Sequence, residues 1–199
     1  MSSDVAEKPR DGLNARQVET VDKLLAAGLE ELRAVGHETL TVRTVAQRAG
    51  VSPATAYTYL ASKNHLFAEL FWRHLHDDLS SRGLVRGDQT KRAQSAIRAL
   101  IARIVAEPAL AAAVTPALLG TDPDVARLRL LIGSELYARL EAALLDPDAP
   151  DDPVDPAVLE ALVLALSGAL LQAGMGLMTY DEMADRVATA AAVIIRGNE

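Results

Sequence analysis

Hydrophobic positions recur at helical spacing from the first dozen residues onward. Val18, Val21, Leu25, Leu29 and Leu32 share one face, and Gly36 closes this first predicted helix. Thr41 is placed to cap a second, short helix whose Val42, Val45, Ala46 and Ala49 fall at i, i+3, i+4 and i+7. Gly50 then stands where a left-handed residue ends a helix. Ser52-Pro53 is a start signal, a hydroxyl cap followed by proline at the first helical position, so a third helix is expected over 53–60. Ser62 opens a fourth, with Leu66, Phe67, Leu70, Phe71, Leu75 and Leu79 along one side. A fifth is expected near 91–106, and Pro108 and Pro116 restrict the Ala-rich stretch 107–120 to short or kinked pieces. Asp122-Pro123 starts a helix running to about Leu145, and "DPDAPDDPVD" is a loop. Asp155-Pro156 starts another, to about Thr179, and Asp181 opens a last one ending near Arg196-Gly197.

The stretch 161–180, "ALVLALSGALLQAGMGLMTY", carries no charge over twenty positions, the length of a membrane span. Its flanks, Glu160, Asp181 and Glu182, are acidic and lack the basic and Trp-rich anchors of a membrane boundary. Burial against the chain itself and a second subunit is the expectation, with no membrane.

Composition supports helices: half of the 199 residues are hydrophobic but only 4% are aromatic. There is no cysteine, which removes disulfides and thiolate chemistry. The start "MSSDVAEKPRDG" has no apolar core of a secretory signal, so a cytoplasmic location is expected. Residues 1–13 read as a mobile arm carrying Lys8 and Arg10. The formal charge of −7 argues against a nucleic-acid partner until its distribution is considered. Residues 83–199 hold ten basic and sixteen acidic side chains, so most of the excess lies there. From Thr39 to Ala68 stand Arg43, Arg48 and Lys63 with no acid at all. Such an island can meet DNA, because charges beyond about 8 Å are screened at physiological salt.

Two short helices joined by Gly50-Val51-Ser52 make a helix-turn-helix by pattern alone. Val42, Val45, Ala46, Ala49, Val51, Ala56 and Leu60 point inward, which leaves Arg43, Thr44, Ala54, Thr55, Tyr57, Thr58 and Tyr59 for the outer face and its edges. The hydroxyls of Thr55, Tyr57 and Tyr59 can donate to phosphate oxygens, and Lys63 adds a cation at the start of the next helix. A carboxylate here would repel phosphate, which accounts for its absence. The alternative is a solvated helical face with the Tyr rings covering apolar surface.

The stretch "TVRTVAQRAGVSPATAYTYLASKNHLFAEL", residues 41–70, resembles the DNA-binding segment of TetR-family transcriptional regulators. The Gly50-Val51-Ser52 turn, Thr55, Tyr57, Tyr59, and Lys63 followed by Leu66 carry the resemblance, while Ala56 and Leu60 depart from the usual larger aliphatic and phenylalanine. The resemblance implies an all-α chain of about nine helices: an N-terminal three-helix DNA-binding domain with helix-turn-helix, over 14–62, then a C-terminal helical ligand-binding and dimerisation bundle, over 63–199. Onto matching positions it carries DNA contacts from Thr41, Arg43, Ala54, Thr55, Tyr57, Tyr59 and Lys63, to which Ser52 and Thr58 are added from the turn and the exposed face. The implied function is a homodimeric repressor released from a palindromic operator by a small, largely apolar effector. No enzyme activity, cofactor or metal is expected.

An effector pocket would lie among helices four to eight. Its candidates are Phe67, Phe71, Leu75, Leu100, Ile101, Ile104, Leu128, Leu131, Ile132, Leu136 and Met175, with His74, Glu135, Tyr137 and Gln172 as polar groups to orient a ligand. For the dimer interface the last two helices offer Leu164, Gly168, Leu171, Met175, Val187, Ala191 and Ile194. Small residues such as Gly168 and Ala173 let helices approach closely. Two rivals remain. "RHLHDD" offers His74 and Asp78 as a metal pair for an enzyme, but His74 and His76 do not share a helical face and no phosphate loop or nucleophile elbow is present. A DNA-binding regulator without any small-molecule ligand is the other.

Overall fold

The computed structural model describes residues 14–76, 87–149 and 152–197. Among them nine helices form and no strand: α1 (Ala15–Thr39), α2 (Val42–Arg48), α3 (Pro53–Tyr59), α4 (Lys63–His76), α5 (Gln89–Val105), α6 (Pro108–Leu119), α7 (Pro123–Leu144), α8 (Pro156–Gly174) and α9 (Tyr180–Arg196). The fold is all-α, as expected. The arm, Leu79 and the Asp77-Asp78 pair lie outside the described residues.

Local chemistry sets most helix ends. Asn14 and Gln17 form a reciprocal capping box at the start of α1, with Gln17 N donating to Asn14 Oδ1 at 3.0 Å. Thr41 caps α2 and Ser52 caps α3, ahead of Pro53. The turn between them is a Schellman motif: Val51 N donates to Ala46 O at 3.0 Å and Gly50 N to Gln47 O at 3.2 Å. Gly50 sits at φ 68°, where any other L-residue would be strained.

Four expectations need correction. α1 does not end at Gly36. The backbone breaks there at φ 75° and helical structure resumes to Thr39. The Pro108–Leu119 stretch is one continuous helix, because Pro108 takes the first position and Pro116 lies on the exposed side, where a lost backbone bond is met by water. α8 stops at Gly174 rather than near Thr179. A second Schellman motif ends it, with Leu177 N on Gln172 O at 2.9 Å and Gly176 at φ 73°. α9 then begins at Tyr180, with Thr179 rather than Asp181 as its cap.

α1 packs on α2, α4 and α6, α3 rests on α2, and α4 is held between α6 and α7. α9 lies against α5 and α8. One hydrophobic core runs from Val21, Leu24 and Leu25 through Leu66 and Phe67 to Ile97, Leu162 and Met183. Each such buried side chain contributes about 1.5–3 kcal/mol. α4 can approach α1 closely because Gly28 has no Cβ, an atom that would stand 2.8 Å from Leu66 Cδ1. Arg33 of α1 pairs with Glu107 ahead of α6, which ties the first three helices, the head, to the remaining six, the bundle. α8 is long and apolar enough to cross a membrane by length and composition. It packs instead against α6, α7 and α9.

Candidate nucleic-acid interface

α2 and α3 bury one side and expose the other as the periodicity demands. Val42, Val45, Ala46, Ala56 and Leu60 are buried, and Ala49 and Val51 half-buried against the same core. Ala56 and Leu60, the two departures from the family pattern, are both fully packed. Outward stand Arg43, Ala54, Tyr57 and Thr58, with Thr55 and Tyr59 half-buried at the edge. Tyr57 is the most telling: 54% of this large ring residue is left in solvent. No hydrophobic reason holds it there.

Several hydroxyls already have internal work. Thr41 Oγ1 accepts from Thr44 N at 3.1 Å, and Ser52 Oγ accepts from Thr55 N at 3.1 Å. Ser52 Oγ and Thr55 Oγ1 lie 2.8 Å apart, and Thr58 Oγ1 donates back to Ala54 O at 3.1 Å. These side chains are thereby fixed in direction, which suits a rigid recognition surface.

The basic island is smaller than its sequence count. Arg48, itself exposed, binds the carboxylate of buried Glu31 at 2.7 Å, with Glu30 at 3.8 Å. Lys63 Nζ donates to the carbonyls of His37 and Glu38 at 3.3 and 3.4 Å, fastening α4 to the end of α1. Arg43 is exposed on α2. The structure adds a group that no local pattern announced. The first turn of α1 brings Arg16, Gln17 and Thr20 beside Val51, Ser52, Thr55 and Tyr59, around an open cleft of about 400 Å³. The face is therefore shared by three helices.

The pocket candidates divide. Phe67, Phe71, Leu75, Leu100, Ile101, Ile104 and Ile132 are buried in the main core, with Leu136 packed on it. Leu128 and Leu131 belong instead to a small separate cluster with Ala68 and Val125. Glu135 is buried and accepts from Arg139 Nε at 2.6 Å. His74 Nε2 bonds the carbonyl of Arg103 at 2.6 Å, and Arg103 Nε bonds that of His74 at 2.7 Å. Tyr137 faces solvent. Gln172 and Met175 do not join the group: α8 ends beside them and both are exposed. His76, weighed in the sequence only as a metal partner for His74, takes another place. It stacks on Trp72 at 4.9 Å, and among the described residues its buried Nδ1 has no hydrogen-bond partner, with Glu135 Oε2 3.9 Å away.

The interface candidates divide as well. Leu164 and Met175 are 66% and 56% exposed on one face of α8, with Gly168 and Leu171 half-buried between them. On α9, Val187 and Ala191 are at most 3% exposed, so they are core and not interface. The helix turns that face toward its own chain, and the outward one carries Ala190, Val193 and Ile194.

Comparison with known proteins places this geometry. Residues 24–70, which span α2, α3 and most of α1 and α4, match the model for bacterial regulatory proteins of the tetR family. HTH-type transcriptional regulators of Mycobacterium bovis and Mycobacterium tuberculosis are 42% identical over 186 residues, covering 92% of this chain and 84% of theirs. A crystal structure of a TetR transcriptional regulator from Rhodococcus sp. RHA1 superposes with a TM-score of 0.68 at 18% identity, covering 90% of this chain and 97% of that one.

Proposed function

The chain belongs to the TetR family of bacterial regulatory proteins, and on that premise we propose that it is a homodimeric cytoplasmic repressor, released from a palindromic operator by a small, largely apolar effector. One observation carries the DNA half of this reading. The helix-turn-helix holds Ala54, Tyr57 and Thr58 outward, in a stretch from Thr39 to Ala68 with no carboxylate. Phosphate contacts from Thr41, Arg43, Tyr59, Lys63 and Arg16 set register, while Ala54, Thr55 and Thr58 face the bases. Ser52 acts through Thr55, whose direction it fixes.

The exposed apolar residues Leu164 and Met175 on α8 and Val193 on α9, with Leu171 and Ile194 half-buried beside them in sequence, support pairing with a second copy, since monomers rarely keep large apolar patches in water. A two-fold dimer sets its recognition helices about 34 Å apart, one turn of DNA. For the effector, the buried Nδ1 of His76 beside Trp72 and Glu135 supplies a polar anchor in a bundle whose apolar core includes Phe71, Leu75 and Ile132. A ligand that prefers the DNA-incompetent arrangement by about 1–3 kcal/mol would lower operator affinity about 5–150-fold.

The test is affinity selection of fragmented genomic DNA at near-physiological salt. Recovery of a short palindrome, lost on Tyr57→Ala with Lys63→Ala, supports the reading. Enrichment of no sequence by a folded dimer overturns it.

A further inference from the structure

Where α3 passes into α4, a few polar groups link the head to the bundle. Ser62 Oγ donates to Asp122 Oδ2 at 2.7 Å and accepts from His65 N at 3.0 Å. Asp122 is the cap of α7, its other oxygen accepting from Asp124 N at 3.0 Å. In the first turn of α4, the Nδ1 of His65 accepts the backbone N–H of Ala61 at 3.3 Å. Ala61 is the second residue after the end of α3, so this imidazole fixes the exit of the recognition helix.

That last bond sets a chemical condition. An accepting Nδ1 must be unprotonated, with the ring proton on Nε2. A charged imidazolium donates from both nitrogens, so Ala61 N–H loses its partner and the ring turns its new donor elsewhere. The acidic groups facing it are Asp124 and Asp122 of α7. Lys63, its near neighbour on α4, is turned away to the end of α1. Protonated His65 and the Ser62 hydroxyl would then compete for Asp122.

We propose that Ala61, Ser62, His65 and Asp122 form a proton-operated joint, closed between the recognition helix and α7 when His65 is neutral and opened when it is charged. Burial lowers the affinity of the ring for a proton, while Asp124 and Asp122 raise it to a lesser degree. A depressed folded value means the closed joint is fully formed through the ordinary histidine range and opens as pH falls through the lower folded value. The joint is a positioning device: none of its four residues needs to touch DNA. Its effect on operator binding rests on the DNA-binding reading above, but its titration does not.

Two measurements test it on the full-length protein. The first follows the His65 ring and the Ala61 amide by NMR from about pH 7.5 to about pH 4.5, a range that extends well below the ordinary histidine value. The second measures affinity for the operator recovered by genomic selection at both ends of that range. Expected are a shared midpoint for His65 and Ala61, and an affinity loss of about fivefold or more in acid. His65→Asn, whose amide oxygen can hold Ala61 at any pH, should bind well throughout and show no such loss beyond that of the other histidines. Asp122→Asn, which keeps the cap but removes the charge, should move the midpoint down. An Ala61 amide that ignores the His65 titration overturns the proposal, as does an equal acid loss in His65→Asn. If Ala61 follows His65 but no sequence is bound at either pH, the joint stands and the DNA-binding reading fails.

Discussion

Head and bundle use the same apolar vocabulary for different ends. In the head, the exposed face of α2 and α3 is polar, rigid and free of acids, and its one large exposed ring, Tyr57, has no packing reason to be there. In the bundle, apolar residues line both the inside, as with Leu75 and Ile101, and the outside, as with Leu164 and Val193. A surface that meets a charged polymer must differ from ordinary core, so its purpose shows. A surface that meets an apolar ligand or another helix is made of the same residues as core, so its purpose is hidden.

The comparison can be broken from the bundle side. Phe67→Ala removes a fully buried ring from the core that head and bundle share, and should cost about 3–5 kcal/mol in urea unfolding. If the halves were energetically separate, the unfolding transition would split in two. It should remain single.

Within the head, the two arginines of α2 sharpen the contrast. Arg48→Ala strands the buried carboxylate of Glu31 and should cost about 1–3 kcal/mol, leaving the salt dependence of DNA binding unchanged. Arg43→Ala should leave stability within about 0.5 kcal/mol and lower the slope of log affinity against log salt by about 0.9. The glycines of the two Schellman motifs form another matched pair. Gly50→Ala and Gly176→Ala should each cost about 1–2 kcal/mol of thermal stability. Only the first should weaken operator binding, because only that turn orients the recognition helix.

The smallest effect concerns the tie between the two regions. Arg33 holds the Glu107 carboxyl below its ordinary value. A depressed folded value gives stability that is present above the ordinary carboxylate range and is lost as pH falls through it. Glu107→Gln should therefore cost less than about 1 kcal/mol at neutral pH, and the difference from wild type should vanish in acid unfolding.

The same pair of turns shows what was legible in the chain. Both helices end in Schellman motifs, yet only the one at Gly50 was readable, because Ser52-Pro53 announces a new helix directly after it. At Gly176 the apolar run continues through Leu177 and Met178, and periodicity carried the expected helix past its end. Val187 and Ala191 failed as interface residues for a related reason. A small or aliphatic residue suits either face of α9, and only its packing on α5 and α8 decides which is hidden. The Arg48–Glu31 pair and the approach of Arg16 to Tyr59 join residues 17 and 43 positions apart, with no local pattern to signal them.

Because Arg48 spends its charge on the Glu31 carboxylate, few cations are left to hold an arbitrary stretch of duplex, and the molecule as a whole is acidic. Loose association with random chromosome scales with the number of phosphates neutralised. On the DNA-binding reading proposed above, such a protein would spend little time sliding along the wrong DNA. Residence at a site depends on how well the hydroxyl-bearing face fits, so a mismatched site is abandoned quickly. On the repressor reading proposed above, release would then be governed by local complementarity, with little drag from the surrounding genome.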